Sequence, residues 1–111
     1  MPDVRKALGI RIKELRLAAG RTQAQLAEAL EVQTETISRL ERGHSLPSVE
    51  TMLRIAKALD TDLSRLFDLP LSANRKRRRL YLDQLQQLFE GRREEHMQMA
   101  VDVIARIFDE L

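Results

Sequence analysis

The side chains in this sequence with the clearest chemistry are Thr34, Glu35, Ser38, Arg39 and Arg42, which share one side of a short predicted helix. Their chemistry is hydrogen bonding. An arginine can form two parallel bonds with guanine, a carboxylate can accept from the cytosine amino group, and a threonine can contact a thymine methyl or a phosphate. An α-helix also fits the major groove, where each base pair presents a distinct pattern. The pattern therefore indicates a helix able to contact nucleic acid.

The same outer face allows a simpler interpretation. Glu35 and Arg39 are four residues apart, so they can form a solvent-exposed ion pair along the helix. The outer face alone does not separate the two interpretations. The preceding helix and the turn between the two helices help to distinguish these interpretations.

The preceding helix has a clear start signal. Thr22 and Gln25 match the capping box Thr-x-x-Gln, which predicts a helix beginning just after Thr22. Its inward face, spaced by three and four residues, consists of Leu26, Ala27 and Leu30. We expect Val32 in the following turn to fill the gap between the helices, while Ile37 and Leu40 of the second helix point inward.

This pair of helices resembles the helix-turn-helix of the phage repressor, Cro and XRE-type regulators. The matching residues are Gln23-Ala24-x-Leu26-Ala27, then Ile37-Ser38-Arg39-Leu40-Glu41-x-Gly43, and then Pro47, Ser48 and the helix with Leu53, Ala56 and Leu59. The match covers roughly residues 5 to 68. It implies an all-α fold: a five-helix repressor-like DNA-binding domain, here with a C-terminal two-helix extension.

The resemblance also implies roles for the matched residues. Gln23 would hold a DNA backbone phosphate at a helix N-terminus, and Gln33 would assist at the start of the recognition helix. The loop after that helix lies near the phosphate backbone in the family, although a solvated loop histidine is an equal alternative for His44. The complete expected DNA-binding set is Gln23, Gln33, Thr34, Glu35, Ser38, Arg39, Arg42, His44 and Ser45.

Arg16 and Glu41 match a structural ion pair of the family that ties the first helix to the third. Such a pair adds little net stability, but removing one partner strands the other charge, at about 3–5 kcal/mol when fully buried.

The sequence departs from the family at two turns. Glu31 and Asp60 stand at positions that the family commonly fills with glycine. Glycine adopts the left-handed conformation without steric strain, and aspartate tolerates it better than glutamate.

Composition limits the classes of function. The chain of 111 residues has no cysteine or tryptophan, and aromatic residues make up 4%. No disulfide or thiolate metal site is therefore possible, and a core of aliphatic side chains suits packed helices. The N-terminus lacks the apolar run of a signal peptide, so we expect a cytoplasmic, nucleoid-associated protein. We find no nucleophile–base pair, cofactor motif or metal-ligand spacing, which argues against an enzyme.

Three regions are expected along the chain: a helix-turn-helix DNA-binding domain at 1–69, a linker with a basic run at 70–77, and a helical dimerisation or interaction extension at 78–111. Within the first region, a helix over 3–19 ends at Gly20, Ser48 caps the fourth helix, and Asp62 caps a fifth helix. We expect Phe67 to close the bottom of the core.

The basic run at 75–79 has three interpretations. It can be a solvated helix start, an arm that contacts phosphates, or a targeting signal. Cations at a helix N-terminus oppose the helix dipole. This conflict is the one local indication that the run has another purpose.

Two amphipathic helices, at 78–90 and 92–111, need a partner for their apolar stripes. They can pack on each other, fold back on the first domain, or pair with a second copy of the chain. We favour dimerisation, because a helix hairpin alone buries too little area to be stable. The expected interface residues are Leu85, Leu88, Phe89, Val101, Ile104 and Phe108.

Together these features predict a sequence-specific transcriptional regulator that binds double-stranded DNA as a homodimeric repressor on a palindromic operator. The alternative is an antitoxin-like protein that binds a protein partner through its C-terminal helices and regulates its own operon. No cofactor or membrane is expected in either case.

Overall fold

The computed structural model describes residues 4–69 and 75–88, with the single residues 95, 98, 99, 102 and 103, and gives the backbone alone for residues 75, 77, 78, 81 and 88. All regular structure in these ranges is helical, which confirms the predicted all-α fold. The helices are α1 (Val4–Ala18), α2 (Gln23–Leu30), α3 (Thr34–Glu41), α4 (Val49–Ala58), α5 (Leu63–Leu66) and α6 (Arg75–Leu88).

Side-chain caps fix where three of these helices begin. The Thr22 hydroxyl accepts from the Gln25 N–H at 3.0 Å, and the Gln25 side chain accepts from the Thr22 N–H at 2.9 Å. The predicted capping box is thus confirmed. Ser48 accepts from the Thr51 N–H at 3.1 Å, and Asp62 caps α5 in the same way. Each cap satisfies a backbone donor that lacks a partner within its helix.

Four helix ends share one left-handed geometry, although only two of them use glycine. Gly20 and Gly43 have φ of 69° and 74°, and Glu31 and Asp60 have φ of 57° and 54°. After each of them, the next N–H bonds back to the carbonyl five residues earlier, at 2.8 to 3.1 Å. The two departures from the family therefore keep its turn geometry, at a steric cost of about 1–2 kcal/mol each.

The core is a continuous aliphatic cluster, and Phe67 is its one fully buried aromatic among the described side chains. Met52 rather than Leu53 occupies the inner face of α4, since Leu53 is only partly buried. The buried set from α1 to α5 is Val4, Leu8, Ile12, Leu26, Ala27, Leu30, Ile37, Leu40, Val49, Met52, Ile55, Ala56, Leu59, Leu63, Leu66 and Phe67.

Val32 does not fill the gap between α2 and α3, so this prediction was wrong. Its side chain remains 36% exposed in the turn after Glu31. Leu30 of α2 and Ile37 of α3, which are 2% and 0% exposed, belong to the buried core cluster instead.

Close approach between α1 and α3 depends on Gly9. A Cβ on Gly9 would lie 2.7 Å from the carbonyl oxygen of Glu41, closer than side-chain carbons approach backbone oxygens. A Cβ on Gly43 would lie 2.7 Å from Cγ of Lys6. Because these two glycines lack a Cβ, the C-terminal end of α3 can pack closely against α1. They therefore help to set the position of α3 relative to the rest of the domain.

Two features of the structure bear on the C-terminal region. Helix α6 begins at Arg75, so the basic run at 75–79 forms its first residues, which include 75–77 of the range expected as the linker. Leu85 is 1% exposed and belongs to the same core cluster, with Leu82 packed against it. Leu85 is therefore covered within one chain, because α6 folds back on the first domain and contacts α1. Val103 is also buried in this cluster.

No helix in the described part of the chain is long and apolar enough to cross a bilayer.

Candidate nucleic-acid interface

Helix α3 separates an apolar inner face from a polar outer face. Ile37 and Leu40 are 0% and 5% exposed, as predicted. Thr34, Glu35 and Arg39 are exposed, together with Arg42 just after the helix, while Ser38 is half-buried. Thr36, which was not among the expected contacts, is also exposed, at the edge of this face.

The one ion pair on this outer face joins Glu35 to Arg42, among the side chains the structure describes. Arg42 Nη2 donates to Glu35 Oε1 at 2.8 Å, and Arg42 Nε donates to the Ser38 carbonyl at 3.3 Å. The pair spans seven residues, and its side chains are 51% and 69% exposed. The partner that the four-residue spacing suggested for Glu35 was Arg39, so that interpretation is corrected. Arg39 makes no ion pair with a described residue.

Below the inner face, Arg16 and Glu41 form the ion pair that the resemblance implied. Arg16 Nε lies 2.6 Å from Glu41 Oε2, and Arg16 Nη2 lies 3.1 Å from Glu41 Oε1. Both residues are buried, at 6% and 7% exposure. Arg16 Nη1 also donates to the Arg21 carbonyl at 2.7 Å, so one guanidinium connects α1, the turn before α2, and α3.

Gln23 joins the same network. Its Nε2 donates to Glu41 Oε1 at 3.0 Å, and the side chain is half-buried at the N-terminus of α2. An amide nitrogen carries two hydrogens, so one is donated to Glu41 and the second is left for another acceptor. Gln23 therefore lies at the N-terminus of α2, as the resemblance implied, and the buried carboxylate of Glu41 orients its side chain.

Three polar residues lie at the two ends of α3. Gln33 precedes the helix, is exposed and makes no side-chain hydrogen bond as its cap. His44 is exposed and Ser45 half-buried in the loop that follows Gly43. The polar surface of α3 thus continues past both ends of the helix.

The structure does not describe the side chains of five residues predicted for the dimer interface. The backbone of Leu88 ends α6, and its side chain lies outside the described set, as do Phe89, Val101, Ile104 and Phe108. Within the described residues, no group of three His, Cys, Asp or Glu side chains could hold a metal ion.

Comparisons with known proteins place this geometry in a family. A family model described as Helix-turn-helix matches residues 12–66. The HTH-type transcriptional regulator SutR of Escherichia coli is 33% identical over 73 residues, or 66% of this chain and 41% of SutR. The cryptic phage CTXphi transcriptional repressor RstR of Vibrio cholerae is 30% identical over 80 residues, or 72% of this chain and 71% of RstR.

A solved structure agrees. The clp gene regulator ClgR from C. glutamicum superposes with a TM-score of 0.57 at 33% identity, covering 60% of this chain and 86% of ClgR. The chain belongs to the helix-turn-helix family of DNA-binding transcriptional regulators, as its sequence predicted. It spans about two fifths of the length of SutR, against 71% of RstR.

Proposed function

We propose that this regulator is a homodimeric repressor that reads a palindromic operator through α3. The observation that carries the proposal is the outer face of α3, where Arg39 has no partner in the described chain and the one ion pair is exposed. The contacting set would be the nine residues expected from the sequence, with Arg39 reading a base and Gln23 holding a phosphate.

The length of α3 supports a dimer. Eight residues span about 12 Å, which limits one helix to a few base pairs. Two recognition helices held roughly 34–36 Å apart would enter successive major grooves on one side of the duplex. The second contact then becomes nearly intramolecular, which raises affinity and doubles the length of the site. Repression would follow from occupying a promoter and excluding polymerase, in the cytoplasm.

Selection of bound sequences from a random DNA pool tests operator recognition. We expect an inverted repeat whose half-sites are one helical turn apart. Recovery of a single, asymmetric half-site would contradict the palindromic operator. Recovery of no consensus would contradict sequence-specific reading.

The dimer interface is tested by Ile104→Asp, which places a charge in the apolar stripe that the sequence predicts for residues 92–111. We expect sedimentation as a monomer with unchanged helicity by circular dichroism. The control is Ile10→Asp, since Ile10 is already 53% exposed on α1. A dimer that persists in Ile104→Asp would remove this stripe from the interface. A small protein co-purifying from the native host would instead support the antitoxin alternative.

A further inference from the structure

An open cleft between α2 and α4 lies apart from the outer face of α3. Its volume is about 500 Å³, and it is lined by Arg21, Ala29, Leu30, Arg54, Lys57 and Ala58. No residue of α3 contributes to this lining. The volume falls within the range of about 300–1,000 Å³ that small-molecule sites occupy.

All charged side chains that line the cleft are positive among the residues the structure describes. They are Arg21, Arg54 and Lys57. None of the three forms an ion pair with a described residue. Like charges around one concave surface reinforce each other's potential and attract anions. The cleft therefore has the electrostatic character of an anion site.

The backbone of α2 holds one of these cations in place. Arg54 Nη2 donates to the Leu30 carbonyl at 2.7 Å, at the C-terminal end of α2. This bond uses one of the five guanidinium N–H groups and leaves the others for a ligand. Lys57 follows three residues later on α4 and so shares the face of Arg54. Ala29 and Ala58 have short side chains, which leave the space between the cations open.

We propose that this cleft binds a phosphate group. A phosphate carries a charge of about −1.5 to −2 near neutral pH. Three cations therefore balance the charge of a phosphate more closely than the single charge of a carboxylate. Arginine also forms paired hydrogen bonds with phosphate oxygens. The phosphate can belong to a small phosphorylated molecule or to the DNA backbone. The proposal does not depend on operator reading by α3 or on the dimer.

The first test is a titration of the full chain with sodium pyrophosphate at constant ionic strength, followed by amide NMR shifts. We expect saturable shifts centred on Ala29 and Ala58. Lys57→Gln should weaken this binding about two- to fivefold, the loss expected for one exposed ion contact. Lys13→Gln removes the same charge from an exposed position on α1 and should leave the affinity unchanged. Arg54 is left intact because it also caps α2.

The second test measures binding of the same variants to a duplex of random sequence at several salt concentrations. If Lys57→Gln weakens duplex binding and lowers the salt slope by about 1, the bound phosphate is that of DNA. If pyrophosphate binds as expected and duplex binding is unchanged, the ligand is a free phosphorylated molecule. If neither ligand distinguishes Lys57→Gln from Lys13→Gln, the proposal is overturned. Loss of operator selection alone would overturn the proposed function and leave this site intact.

Discussion

Two guanidinium–carboxylate pairs involve α3 and its C-cap, and they use the same chemical groups in opposite environments. Glu41 faces the domain and meets Arg16, with side chains 3% and 7% exposed. Arg42, the next residue along the chain, faces solvent and meets Glu35, with side chains 51% and 69% exposed. Two residues that are adjacent in the sequence thus belong to different parts of the molecule. Glu41 belongs to the buried core of the domain, and Arg42 belongs to the candidate nucleic-acid interface.

The difference in burial determines the free-energy cost of breaking each ion pair and replacing it with water or a new partner. Breaking a buried pair leaves a charge without water or partner, whereas exposed pairs contribute about 0–1 kcal/mol and are replaced by hydration. Glu35 and Arg42 can therefore change partners on meeting DNA at small energetic cost. Arg16 and Glu41 cannot, so they hold α3 and Gln23 in fixed positions. The predictions below test this contrast, beginning with the largest effect.

Glu41→Ala should destabilise the protein by about 3–5 kcal/mol, because it leaves the Arg16 guanidinium buried without its carboxylate. Equilibrium urea denaturation measures this loss. The matched control is Glu35→Ala, which removes the same group from the exposed pair and should change stability by less than about 1 kcal/mol. Equal losses in the two variants would contradict the contrast between the pairs.

The double variant Arg16→Met with Glu41→Leu sharpens the same test. Apolar residues of similar size often replace a buried ion pair with little loss of stability. We therefore expect it to recover much of the stability lost in Glu41→Ala. If the double variant is as unstable as the single one, the hydrogen bonds to Gln23 and to the Arg21 carbonyl matter more than the stranded charge.

Arg39→Ala should lower affinity for the selected operator by about 1–3 kcal/mol and relax the preference at one base pair. Arg39 is exposed on α3 and makes no ion pair within the described chain, so no ion pair is lost with it. Fluorescence anisotropy with the operator and its single-base variants measures the effect. Lys13→Ala, on the outer side of α1, controls for the loss of a cation. Equal losses on all sequences would show that Arg39 contacts only phosphate.

Local signals predicted most of the scaffold correctly. Thr22 with Gln25 and the spacing of Leu26 and Leu30 depend on interactions within a few residues, so their sequence pattern specifies them. The left-handed turn at Glu31 was predictable only through the resemblance, because glutamate itself disfavours that conformation.

Local sequence patterns could not predict contacts between residues that are far apart in the sequence, or choose between two possible partners of one residue. Leu85 lies on an apolar stripe, which predicts burial but does not specify whether the covering surface is its own domain or a second chain. The partner of Glu35 depends on side-chain reach, since both Arg39 and Arg42 lie on its side of α3. The cleft beside Arg54 lies between α2 and α4, where Arg54 bonds to Leu30, 24 residues earlier, and no local pattern indicates it.

Gln23→Ala should weaken binding to the operator and to random DNA alike, by about 1 kcal/mol, the usual contribution of one hydrogen bond. The reason is that a phosphate contact carries no sequence information. Anisotropy measurements on both duplexes test this. Gln87→Ala on α6 is the control, since Gln87 is exposed and distant in sequence from α2 and α3. If Gln23→Ala lowers affinity only for the operator, Gln23 does not act through a phosphate, and a contact with a base would be indicated.

The smallest effect concerns Glu35 and Arg42 themselves. A double-mutant cycle with Glu35→Ala and Arg42→Ala should give a coupling of about 0.2–1 kcal/mol in the free protein, decreasing as salt is added. The same cycle measured on operator affinity has a different expected outcome. If Glu35 contacts a base, Arg42 must release it or follow it to a phosphate, so the coupling should change between free and bound states. An unchanged coupling would mean that the pair persists on DNA, with Arg39 reading the groove without help from Glu35.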